Sequence, residues 1–419
     1  MPALALSSPA RPRSAAEPLR ILTAVPLCDG HDSAVTTINL ELVRHGVEVV
    51  YLGYDQAASN IARAAVQEDV HAIGLSSYNG GHLVFFREVI AQLRRRGAGD
   101  IPVFGGGGGT ITQADARAMQ RAGVDQIFFA GTPLTEIVAT IRRNYARKLT
   151  SARNFHGDRA LARAISCQEI SPRRTRPSVH PSLRDHSLRR PAPPRRTFVV
   201  GVTGPGGAGK STLIDELTAR FLRTFPGQRI AILANDPSHP DSGGAILGDR
   251  VSAIYAQDDR VFFRSLATRG NLTGLSAATS GVLDTLRASG AFDLILVESI
   301  GIGQESDPFH SFGKGPSLVD TVLLVLSPHY GGRIQLQKIA LLNGANLVAL
   351  NKDDDPRAVT AHAEVASQLR VRGNEQRLHR TVATRHHDAG VDTLFSAIMQ
   401  LNDHEPRGGE RACQLLVND

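Results

Sequence analysis

A chain of 419 residues with 42% apolar and 21% charged side chains has room for two domains and the ordinary composition of a globular protein. No apolar run approaches the ~20 residues of a bilayer span, and Cys28, Cys167 and Cys413 form neither a metal-spaced cluster nor an even-numbered disulfide framework. A cytoplasmic location and no membrane partner are expected. The net charge of +7 is concentrated in one place, because Arg142 to Arg196 holds fifteen Lys and Arg against three Asp and Glu. Six prolines, few apolar residues and many like charges make that stretch a solvated linker, and nucleic acid is not the expected partner.

In chain order, residues 1–17 read as a disordered arm rich in Ala, Pro and Ser. Strands are then predicted at Arg20–Val25, Val47–Leu52, Ala72–Ser76, Ile101–Phe104 and Gln126–Phe129. Helical patterns fall at Ser33–His45, Ala57–Glu68, His82–Arg96, Ala114–Ala122 and Pro133–Arg143. Strands separated by helices imply parallel pairing through right-handed crossovers. Residues 18–148 therefore form a doubly wound domain with its ligand at the carboxyl ends of the strands. After the linker, 149–196, the apolar runs Phe198–Thr203, Arg229–Ala234, Leu294–Val297, Thr321–Leu326 and Leu347–Leu350 suit a parallel sheet buried on both faces. Residues 197–402 make the second domain, and 403–419 a polar tail. The fold class is α/β, with two doubly wound parallel-sheet domains.

The segment Gly204-Pro-Gly206-Gly207-Ala208-Gly209-Lys210-Ser211-Thr212 matches G-x-x-x-x-G-K-[ST] between a strand and the helical pattern Thr212–Phe225. Its glycines let backbone N–H groups converge on phosphate oxygens at a helix N-terminus. Lys210 reaches the β- and γ-phosphates, and the Ser211 hydroxyl binds Mg²⁺. Asn351-Lys352-Asp-Asp354 follows an apolar strand, where a carboxylate at Asp354 accepts from both guanine N1–H and the exocyclic amine. GTP is therefore favoured over ATP. Glu298 closes another strand and is placed to hold Mg²⁺ through a water, with the Gly301 N–H near the γ-phosphate. Asp236 and Asp249 bracket a glycine-bearing loop, a candidate switch.

Taken together, the phosphate loop, Asp236-Pro-Ser, Gly243-Gly-Ala-Ile-Leu-Gly-Asp249, Arg264-Ser-Leu-Ala-Thr-Arg269, Glu298-Ser-Ile-Gly-Ile-Gly-Gln304 and Asn351-Lys-x-Asp354 resemble the MeaB-type G-protein chaperones of cobalamin-dependent mutases. The resemblance spans nearly all of 198–400. It implies a P-loop GTPase domain whose magnesium site is surrounded by Ser211, Asp236, Asp249 and Glu298, with Lys210 and Glu298 as the catalytic pair. No glutamine directly follows Gly301, so slow, partner-dependent hydrolysis is expected.

In the first half, Asp29-Gly-His31 lies just after the first predicted strand, where a carboxylate can orient an imidazole toward a metal. Ser76-Ser-Tyr78 follows the third strand, and the run Gly105, Gly106 to Gly109 follows the fourth. Such a run removes side chains where a bulky planar group could slide in. These residues resemble the cobalamin-binding domains of the mutases, with pattern Asp-x-His-x-x-Gly, Ser-x-Leu and Gly-Gly; here Ala34 replaces the glycine and Tyr78 the leucine. Asp29-Gly-His-Asp32, Ser76-Ser-Tyr-x-Gly-Gly-His82 and Phe104-Gly-Gly-Gly-Gly-Gly109 are similar to the fused isobutyryl-CoA mutases in particular, which carry the same two domains in this order. Asp158 to Ile165 is similar to their helical linker. The resemblance implies a flavodoxin-like fold, His31 as lower axial ligand of cobalt in adenosylcobalamin, and a tail pocket near Ser76, Gly105 and Gly106.

In those fused enzymes a large substrate barrel follows, and this sequence stops about where it would begin. The expected partner is therefore a separate large catalytic subunit of an acyl-CoA mutase, with an adenosyltransferase and further copies of this chain also admitted. The competing readings are a truncated fused mutase and a cobalamin-trafficking or sensing GTPase without a mutase partner.

Overall fold

The computed structural model describes residues 18–26, 33–78, 80–107, 109–146, 155–170, 196–271, 273–301, 308–310, 317–330, 341–371, 373 and 377–403. Two all-parallel sheets organise them. In the front half, β1 (Arg20–Ala24), β2 (Glu48–Tyr51), β3 (Ala72–Ser76), β4 (Val103–Gly106) and β5 (Gln126–Phe128) alternate with α1 (Ser33–Arg44), α2 (Ala58–Gln67), α3 (His82–Arg95), α4 (Gln113–Arg121) and α5 (Leu134–Tyr145). The order β5-β4-β3-β1-β2 reverses direction of growth between β1 and β3, which is the flavodoxin-like switch point where an open α/β sheet receives its ligand. Central strands are buried along their whole length, so they read as continuous apolar runs.

The stretch whose composition reads as a solvated linker is in part a packed helix, as the similarity of Asp158 to Ile165 to a helical linker implied. Gly157–Ile170 forms α6, with Ala160, Leu161, Ala162 and Ile165 buried. Its basic residues are spent on specific carboxylates: Arg159 meets Asp100 at 2.6 Å and Arg163 meets Asp69 at 3.0 Å. Composition hid this helix, because the like charges around it dominate the window while a four-residue apolar face suffices to bury it.

The back half contains β6 (Phe198–Thr203), α7 (Lys210–Thr224), β7 (Ile230–Asp236), β8 (Ala245–Leu247), β9 (Val261–Ala267), α8 (Thr279–Ser289), β10 (Leu294–Glu298), β11 (Thr321–Leu326), α9 (Leu341–Gly344), β12 (Leu347–Asn351), α10 (Ala358–Arg370), β13 (Leu378–Thr381) and α11 (Ala389–Asp403). Its sheet runs β13-β12-β11-β6-β10-β7-β9. Strands β8, β9 and β13 were not anticipated. The first is three residues long inside a glycine-rich loop, and the second carries Arg264 and Ser265, polar residues that break an apolar pattern yet are fully buried by partners across the interface.

Strand β8 does not join its own sheet. It adds to the front sheet as a sixth strand, parallel to β2 with Glu48, Val49 and Val50 opposite Ala245, Ile246 and Leu247. Ala245 and Leu247 belong to the front apolar core with Leu22, Val50 and Ile61. The two halves are further joined by a buried charge network. Arg20 donates to Glu48 at 2.7 Å and to Glu169 at 2.8 Å, Arg269 meets Glu48 at 2.8 Å, and Arg264 meets the other Glu169 oxygen. Burial opposes ionisation of Glu169, but Arg20, Arg264 and Arg269 outweigh it and hold its carboxyl down at about 2. Among the described residues, no helix is long and apolar enough to cross a membrane.

Candidate functional site

The turn between β6 and α7 is shaped for an anion. A side chain at Gly204, at φ 146°, would stand 2.0 Å from the Val325 carbonyl oxygen, so the chain leaves β6 only with glycine there. Gly206 and Gly207 face open space at their Cβ positions, the side from which phosphate oxygens would approach. Gly209, at φ 90°, lets the backbone pass against Asn351. Ala208 is buried, and Thr212 follows Ser211 into the first turn of α7. Lys210 is buried and donates to the carbonyls of Gly204 and Pro205 at 3.1 and 3.3 Å. Burial lowers its pKa, opposed by Glu298 and Asp249. The ammonium is thus folded back on its own loop and needs only to swing to a phosphate.

Three carboxylates converge beside it. Asp236 ends β7, Glu298 ends β10 and Asp249 follows β8. Ser211 Oγ donates to Glu298 Oε1 at 2.9 Å. Asp236 Oδ1 accepts from Gly248 N at 3.2 Å, while its buried Oδ2 has no hydrogen-bond partner. Burial and the charge of Asp249 push Glu298 up to about 8 and raise Asp236 well above the usual carboxylate range; burial also raises Asp249. Like charges crowded in a dry place ask for a cation. Among the described residues, no three His, Cys, Asp or Glu side chains close around a metal by themselves. That suits a small divalent ion that keeps waters and takes phosphate oxygens to complete its shell. The orphaned Asp236 oxygen, the Ser211 hydroxyl and the unneutralised acids fit magnesium.

Asn351 is buried at the end of β12. It donates to the Ala208 carbonyl at 3.0 Å and accepts from Ala383 N at 3.0 Å and Thr381 Oγ1 at 3.2 Å. It therefore braces the phosphate loop against the segment after β13. Lys352 adopts a left-handed φ of 61°, and the turn it makes leaves Asp354 exposed, free to face a base. Asp353 is instead spent on Arg380 at 2.7 Å. Gly301 approaches the loop so closely that a Cβ would lie 2.5 Å from Gly206, so its backbone lies directly against the phosphate loop. One contributor was missed from sequence: Asn235 donates to the Glu298 carbonyl at 2.8 Å and accepts from Ser276 N at 2.8 Å, fixing the end of β10. Its only signal was its place beside Asp236.

In the front half, Asp29 and His31 lie outside the described residues, as does Gln304 in the back half. The strand that precedes Asp29 and His31, β1, and the strand that ends at Ser76, β3, are neighbours, so their carboxyl ends meet at the switch point. The glycine run has a packing reason of its own. A Cβ at Gly105 would meet the Leu75 carbonyl and the Phe86 ring at 2.4 and 2.5 Å, and one at Gly106 would meet the Phe128 carbonyl at 2.7 Å. These glycines admit the neighbouring strands and α3, and only their backbone is left to face a ligand. Gly109, at φ 95°, opens onto free space at the rim.

Residues 161–414 match the family described as Methylmalonyl Co-A mutase-associated GTPase MeaB, and residues 19–139 match the B12 binding domain. Among curated relatives, the fused isobutyryl-CoA mutase of Geobacillus kaustophilus is 34% identical over 404 residues, covering 91% of this chain and 36% of that protein. The fused isobutyryl-CoA mutase of Nocardia farcinica is 36% identical over 408 residues, covering 92% of this chain and 36% of the relative. A putative GTPase of Pyrococcus abyssi is 36% identical over 221 residues, 51% of this chain and 64% of that protein. The chain spans about a third of the length of the fused relatives it matches. With its phosphate loop, acid cluster and second parallel sheet in the order these matches require, the chain belongs to the MeaB family of mutase-associated GTPases and carries a B12-binding domain ahead of the GTPase domain.

Proposed function

We propose that this chain is the adenosylcobalamin-carrying and GTP-hydrolysing part of a radical acyl-CoA carbon-skeleton mutase of the isobutyryl-CoA or methylmalonyl-CoA type. It acts with a large catalytic subunit, and GTP hydrolysis gates cofactor loading. The observation that carries this reading is the joining of a B12-binding domain and a MeaB-family GTPase domain in one chain, in the order found in the fused relatives.

In the GTPase domain, the loop from Gly204 to Gly209 cradles the phosphates and Lys210 turns from its own carbonyls to the β- and γ-phosphates. Ser211, Asp236, Asp249 and Glu298 are the residues that would hold magnesium, which would neutralise these crowded acids and the phosphate charge. Gly301 N–H meets the γ-phosphate, and Asp354, beside the braced Asn351 and the turn at Lys352, selects guanine. With no glutamine directly after Gly301 to orient water, turnover is slow until a partner supplies the missing group. In the front domain, His31, two residues after Asp29 in the sequence, would ligate cobalt, and the backbone at Ser76, Gly105 and Gly106 would line the tail. The bound cofactor supplies the radical chemistry; the protein's part is to place cobalt and control access. An adenosyltransferase is the natural donor of the loaded cofactor.

Reconstitution with adenosylcobalamin tests the front half. Wild type is expected to show the absorption spectrum of a histidine-ligated corrinoid, and His31→Ala to lose that signature while still hydrolysing GTP. A wild-type protein that ignores corrinoids would sink the mutase reading and leave a nucleotide switch alone.

A further inference from the structure

The aspartate that follows β8 is held in place from both domains, with the other domain gripping the chain on either side of it. Just before it, Ala245–Leu247 is a strand of the front sheet, with Ala245 N donating to the Val47 carbonyl at 3.2 Å. Upstream, Ser242 Oγ donates to the Val43 carbonyl at 2.6 Å. Just after it, the buried Arg250 reaches into the front helix α2, donating to Gln67 Oε1 at 2.8 Å and to Glu68 Oε1 at 3.4 Å. The Nη1 that reaches Glu68 also donates to the Phe263 carbonyl at 2.9 Å. Within its own domain, the peptide before Asp249 is tied to Asp236 through Gly248 N, the Asp249 carbonyl accepts from Ser252 Oγ at 2.9 Å, and the Gly244 carbonyl accepts from His239 N at 2.7 Å.

From this geometry we infer that the cobalamin domain positions Asp249 for magnesium: Gly244, Arg250, Gln67 and Glu68 are positioning residues for the GTPase metal site. The inference rests on the magnesium reading above. Supporting groups behind a metal ligand commonly set its affinity by tens of fold, because a ligand that must first be ordered pays that cost on binding. Since coupling is reciprocal, the occupant of the metal site biases the fit of β8 on the front sheet equally. This gives the nucleotide a physical route to the cobalamin domain through one strand, β8, shared by sheet and site.

Gly244 makes the idea testable without touching the phosphate loop. Its backbone lies outside the left-handed region, so alanine is acceptable to its own chain. The added Cβ, however, would stand 2.3 Å from the Val43 carbonyl and 2.8 Å from that of Val47, both front-domain backbone. Affinity for a fluorescent GTP analogue is measured on the full chain with magnesium and again with EDTA, for wild type, Gly244→Ala, Arg250→Met and Asp249→Ala. We expect Gly244→Ala and Arg250→Met each to lose roughly tenfold of the magnesium-dependent gain in affinity, while affinity in EDTA is unchanged. Equal losses in both conditions, or an intact magnesium gain in both variants, would overturn the inference. Should Asp249→Ala keep the full magnesium gain, the metal-site reading beneath it fails, and that result is distinguishable from the failure of positioning alone.

Discussion

Two buried clusters of charge lie within this fold, and they are opposites. At the domain boundary, Arg20, Arg264 and Arg269 surround Glu48 and Glu169 with well-formed ion pairs, and the central carboxyl is driven down to about 2. At the carboxyl edge of the back sheet, Asp236, Asp249 and Glu298 face one another with Lys210 turned aside, and Glu298 is driven up to about 8. The same side-chain type is pushed in opposite directions by its neighbours. The first cluster is complete and holds two domains together; the second is incomplete and gains by taking a cation.

Breaking the complete cluster should cost most. Glu169→Gln leaves Arg264 buried without its carboxylate and Arg20 with Glu48 and the more distant Glu68 alone, and removal of one partner from such a network costs roughly 3–5 kcal/mol. Chemical denaturation should show that loss, and an unchanged midpoint would contradict the pairing. Acid sharpens the same point with a somewhat smaller effect. Because Glu169 is depressed when folded, its contribution is fully present above its unfolded value and is lost as pH falls toward about 2. That loss is on the order of 3 kcal/mol, so denaturation midpoints should drop between pH 4.5 and 2 and do so less in Glu169→Gln.

Much of this was legible in sequence. Alternating apolar runs located five front strands, and the phosphate loop, Glu298 and the Asn351 to Asp354 turn stand together at one sheet edge as their spacing implied. What escaped was whatever depends on partners distant in sequence. Arg264 looks like an interruption until Glu169, 95 residues away, is seen to neutralise it. Ala245–Leu247 is too short to announce a strand, and nothing local says that it will pair with β2. The run at Gly105 and Gly106 reads as a slot, whereas the Phe86 ring and the Phe128 carbonyl, whose close approach also demands glycine there, come from elsewhere.

The contrast between the clusters is tested most directly by melting Glu298→Gln beside wild type, first without ligand and then with GTP, with and without magnesium. Replacing a carboxyl whose buried, crowded setting penalises its ionisation and holds it up at about 8 should leave the free protein unharmed or raise its stability by about 1 kcal/mol, roughly 2–4 °C, and should abolish the magnesium-dependent part of the stabilisation by GTP. A free protein that melts well below wild type, yet keeps the whole magnesium increment, would contradict the account.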